Sequence, residues 1–200
     1  MAVPGYYDAD GVLTDGEAWV GVGTTTLGAA TTSVTFTSTD DGQVGDFSQY
    51  MDLVLICYGQ SKYTGGTGCT LRVHVNGVET GSQYPTQYFR GDGASATATV
   101  DSTSDWFDAA EWPSDTDGAT KRGSAVVHFF DINSGKYKSM LSQYAGDRDG
   151  SGYVGITACT YTSQAPIASV TVKIRRGGSG LNIADGSMFS LFGVLPRMVA

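Results

Sequence analysis

An all-β fold, an antiparallel jelly-roll-like β-sandwich with long loops in a single domain, is predicted by three features of the sequence. Apolar residues recur in short runs of period two, the spacing of half-buried strands. The composition is poor in helix formers: 3 Glu stand against 17 Asp, with 28 Gly and roughly a fifth of the chain as Ser and Thr. Gly/Asp/Ser/Thr clusters such as Thr64-Gly65-Gly66-Thr67-Gly68 punctuate the runs, and no helix-period segment lies between them. Helical bundles and coiled coils are excluded.

The strands follow in order. Trp19-Val20-Gly21-Val22-Gly23 opens the series and Ser33-Val34-Thr35-Phe36-Thr37 comes next. Residues 51–58 form a continuous apolar run, the signature of a strand buried on both faces. In residues 69–76, Leu71, Val73 and Val75 share one face and Arg72, His74 and Asn76 the other, which makes His74 a solvated or interface residue rather than a catalytic one. Residues 96–100, 124–132, 153–161, 167–175 and 188–195 complete about nine strands. Residues 77–93 and 101–123 read as long loops, the second with a short helix over 105–112 capped by Asp105. The predicted organisation is an N-terminal arm over 1–18, a sandwich over 19–194 and a C-terminal tail over 195–200.

A net charge of −8 argues against nucleic acid, whose phosphates are bound through Lys and Arg. No apolar stretch is long enough to cross a membrane as a helix. The N-terminus, Met1-Ala2-Val3-Pro4-Gly5-Tyr6, has neither the basic nor the apolar region of a signal peptide, so synthesis in the cytoplasm is expected. Cys57, Cys69 and Cys159 are odd in number and sit in apolar runs, which predicts buried free thiols, with a Cys57–Cys69 disulfide as the alternative.

Few residues suggest chemistry. His128 lies in an apolar strand, where a hydrogen-bonded structural role is expected, and no nucleophile elbow, zinc motif or P-loop occurs. Asp105, Asp108, Glu111 and Asp131 are the candidates for a glycosidase-type carboxylate pair; six of the 20 acids crowd into 101–117, which reads first as a solvated loop. Asp147-Arg148-Asp149-Gly150-Ser151-Gly152 follows the first half of a calcium loop, but Ala158 stands where the bidentate Glu belongs; Asp8-Ala9-Asp10-Gly11 is a weaker match. No catalytic, cofactor or metal residue is therefore assigned, and no enzyme activity is expected. The remaining candidates are the aromatic residues of the two long loops. Tyr84, Tyr88, Trp106, Phe107 and Trp112 are expected to contact a partner, since Trp and Tyr concentrate at interfaces.

The C-terminal quarter carries a resemblance. Ala165-Pro166-Ile167-Ala168-Ser169-Val170-Thr171-Val172, followed by Gly186-Ser187-Met188-Phe189-Ser190-Leu191-Phe192-Gly193, resembles the ending of a family of tailed-bacteriophage virion structural proteins. Phe192 stands where that family usually has Tyr. Upstream, Ser33-Val34-Thr35-Phe36, Tyr50-Met51-Asp52-Leu53, Thr70-Leu71-Arg72-Val73-His74-Val75-Asn76-Gly77 and Lys136-Tyr137-Lys138-Ser139 match in the same order, so the likeness spans residues 19 to 194. The resemblance implies a non-enzymatic jelly-roll domain located in the virion and made in the bacterial host. It would be a capsid decoration or cement protein, a trimer bound to the major capsid protein or other virion proteins. The other implied role is a receptor-binding domain of a tail fibre or baseplate that takes a host-surface glycan on its aromatic residues.

Overall fold

The computed structural model describes residues 19–148, 150–176 and 179–195. The predicted arm, the weaker acidic turn at Asp8 and the tail beyond Leu195 lie outside them, and Leu195 itself is buried.

Thirteen strands are found among the described residues: β1 (Trp19–Thr26), β2 (Ser33–Thr37), β3 (Asp52–Gly59), β4 (Cys69–Val75), β5 (Thr86–Gly91), β6 (Ala96–Asp101), β7 (Phe107–Trp112), β8 (Gly123–Phe129), β9 (Lys138–Asp147), β10 (Gly152–Tyr161), β11 (Ser169–Arg176), β12 (Ser179–Leu181) and β13 (Met188–Val194). They form two antiparallel sheets. The larger runs β1-β13-β3-β8-β9-β10-β5-β6, and the smaller runs β12-β11-β4-β7 with β2 beside β12 on the same edge of β11. Eight strands thus face five, an unequal sandwich of more strands than a simple jelly roll has.

The inward faces obey the two-residue period. Leu53, Leu55 and Cys57 of β3, Phe189 and Leu191 of β13, and Val127 and Phe129 of β8 meet Leu71, Val73 and Val75 of β4 and Val170, Val172 and Ile174 of β11 in one core. Trp112 of β7 crosses between the sheets to lie 5.9 Å from Phe189, ring centre to ring centre. Gly193 is needed where it stands: a Cβ there would come within 2.3 Å of the Tyr50 ring.

Four elements differ from the sequence reading. Residues 105–112 hold no helix; 107–112 are β7, with a bulge that lets Ala109 and Ala110 both point inward and hides the alternation. Thr86–Gly91 is a strand whose polarity is inverted, with Phe89 in solvent and Arg90 turned inward toward Glu111. β9 extends over ten residues, although its inward face carries Lys138 and Ser142. Lys138 tolerates burial because its ammonium donates to the carbonyls of Ser134, Lys136 and Gln164. The fourth is β12, whose three residues are too short for any periodicity.

Candidate interaction surface

The outer face of the larger sheet is built by register. Ile56, Val126, Gln143, Ile156, Phe89 and Ala98 are successive cross-strand partners, so all six point the same way in one row. One step along, Met188, Tyr58, Ser124, Ala145, Val154 and Ala96 line up, with Gly91 between the last two. On the other side run Phe192, Val54, His128, Leu141, Ala158 and Val100, with Gln87 before the last. Val54 is fully covered, whereas Phe89 is 57% and Val154 62% exposed. The apolar run of β3 is therefore closed on its inner face, while its outer face is covered at Asp52 and Val54 and open at Ile56 and Tyr58.

Among the residues of these three rows the one ionisable side chain besides tyrosine is His128. Its Nε2 lies 3.1 Å from Asp52 Oδ2, its ring stacks on Phe130, and Asp52 also accepts the Asp131 N–H. His128 thus has the structural, hydrogen-bonded role expected of it. Shallow grooves cross the same face, one between Phe89, Ala98, Val154 and Ile156 and another between Val100, Leu141 and Ala158.

The five aromatic candidates are placed differently from expectation. Tyr84, Phe107 and Trp112 are fully buried in the chain's own core. Tyr84 stacks on Tyr161 at 5.1 Å, accepts the Val75 N–H and donates toward the Val75 and Val78 carbonyls. Folding thus recovers the apolar area that a partner was expected to cover. Trp106 stays half-buried with two guanidinium groups against its ring, Arg72 at 3.5 Å and Arg175 at 4.4 Å from its ring centre. Tyr88 is half-buried, with the Arg90 guanidinium 5.7 Å from its ring centre. His74 is buried, not solvated: Nδ1 lies 3.3 Å from the Val78 carbonyl and burial lowers its pKa.

Three of the four candidate carboxylates are committed to structural partners, and Asp131 is exposed. Asp108 pairs with Arg72 at 2.7 Å and Glu111 with Arg90 at 3.0 Å, and burial raises the pKa of both against the pull of those arginines. Asp105 accepts the Ser82 N–H. At the turn that half-matches a calcium loop, Asp147 is paired with Lys121, Arg148 with Asp117, and Asp149 is outside the described residues. No group of three or more His, Cys, Asp or Glu side chains is placed to hold a metal ion among the described residues. The three cysteines are free and buried; burial pushes the Cys159 thiol up to about 12 and raises those of Cys57 and Cys69.

No family model, curated protein or solved structure matches the chain.

Proposed function

We propose that this chain is a non-enzymatic structural protein of a bacteriophage virion, a capsid decoration protein that binds the capsid surface as an oligomer. The family resemblance supplies the virion context. The observation that carries the reading is the broad, nearly uncharged apolar face of the larger sheet on a chain of net charge −8. Apolar patches beyond a few hundred Å² mark protein contacts on soluble domains.

The receptor-binding alternative has less support. A sugar platform needs an open aromatic face, yet Tyr84 and Trp112 are internal and two guanidinium groups lie against the Trp106 ring. Immunogold labelling of phage particles that carry the protein tests the proposal. Label over the head is expected; label confined to the tail tip would replace decoration with the adhesin reading, and unlabelled particles would overturn both.

A further inference from the structure

We propose that the outer face of the eight-stranded sheet is a self-association surface, covered in solution by a second copy of this chain. This rests on the oligomeric reading above and assigns its contact, which the sequence placed instead on the Trp106 segment. Eight apolar residues across the three rows are 38% to 64% exposed, an area of the order of the roughly 800 Å² that each partner of a standard stable complex buries. The rows cross seven strands from β13 to β6, a span of about 29 Å at ordinary strand spacing.

Charge restricts where two copies can meet. Two copies at −8 each repel one another, and at physiological salt that repulsion is screened only beyond about 8 Å. A contact between copies therefore has to be made where carboxylates are few, and the middle row, from Ile56 to Ala98, has no ionisable side chain. The smaller sheet offers the opposite: its outer face carries Arg72, Asp108, Lys173 and Arg175, already engaged in ion pairs or cation–π contacts. The relief of the larger face suits a second sheet. Phe89 and Ile156 stand up beside Ala98, Ala145 and Ala158, the alternation of large and small side chains by which facing sheets interdigitate.

Sedimentation velocity on the full chain at micromolar concentration decides it. The wild type is expected at two or more times the 20.9 kDa chain mass. The double variant Val126→Lys, Ile156→Lys places like charges on the middle row and should weaken association at least 100-fold, giving monomer. Phe89→Glu alone should act in the same direction. Thr35→Lys, equally exposed on the smaller sheet, should leave the mass unchanged. Circular dichroism and urea midpoints confirm that the variants are folded. A monomeric wild type, or an oligomer untouched in folded Val126/Ile156 and Phe89 variants, overturns the proposal. Gold label on phage heads with a monomeric wild type would overturn this inference and leave the decoration reading standing. An oligomer that never labels particles would do the reverse.

Discussion

Replacing Asp117 by alanine should be among the most destabilising single changes in this protein. Its side chain is 1% exposed. Oδ2 accepts the Ser114 N–H at 2.7 Å, the Gly68 N–H at 2.8 Å and the Ser114 hydroxyl at 2.9 Å, and Oδ1 accepts Arg148 Nε at 3.1 Å. One carboxylate thereby ties the 60–68 segment and the turn after β7 to the β9–β10 hairpin. Alanine leaves two backbone donors without an acceptor and a guanidinium, 13% exposed, without its counter-charge. Breaking a buried pair from one side costs about 3–5 kcal/mol, and the orphaned N–H groups belong to the same loss rather than adding to it. With a urea slope of about 2 kcal/mol/M, a loss near 4 kcal/mol lowers the unfolding midpoint by about 2 M. The pH dependence has a definite sign. Burial pulls the Asp117 pKa up, but the hydrogen bonds from Ser114, Gly68 and Arg148 outweigh it and the pKa is lowered. Its stabilisation is therefore complete above the unfolded carboxylate value of about 3.9 and fades as pH falls through the lower folded value. Urea titrations of wild type and Asp117→Ala at pH 7 and pH 3 test both parts. A midpoint shift under about 0.5 M at pH 7, or a gap no smaller at pH 3, would refute the reasoning.

Three further outcomes are expected. Trp112→Ala removes a fully buried indole packed on Phe189 and should cost about 3–5 kcal/mol in chemical denaturation, whereas an exposed loop residue would cost a few tenths. An aromatic disulfide reagent at pH 8 should find no rapidly reacting thiol in the native protein and all three in denaturant, because burial holds every cysteine in its protonated form. Carboxyl-detected NMR should place the titrations of Asp108 and Glu111 above the ordinary carboxylate range, burial being the main cause. Their linkage runs opposite to that of Asp117: folding becomes less favourable as pH rises from the unfolded to the raised folded values, and Asp108→Asn should reduce that slope.

The legibility of the fold varied with the physics of each strand. β4 was plain because every second residue from Cys69 to Val75 faces one core, and β13 because Phe189 and Leu191 share a face with Gly193 beyond them. β7 was not: its bulge adds a residue, breaks the period and leaves Phe107-Asp108-Ala109-Ala110-Glu111-Trp112 resembling a capped helix. β5 is hidden because its exposed position holds Phe89 and its inward one Arg90, which Glu111 on another strand and the Tyr88 and Tyr153 rings make tolerable. The aromatic residues between the predicted strands need cover, and for Tyr84, Phe107 and Trp112 it comes from within the chain.

Composition and two-residue alternation, both local properties, were sufficient to determine an antiparallel all-β chain, the inward faces of most strands and the burial of the thiols. They could not determine which strands become neighbours. Ile56, Val126, Ile156 and Phe89 are separated by tens of residues, and each alone is an ordinary exposed apolar side chain. Only the strand order β3-β8-β9-β10-β5, with its register, sets them side by side in one row. The contact surface is decided by tertiary structure because strand pairing is non-local: backbone hydrogen bonds fix its register, and those groups are the same in every residue but proline.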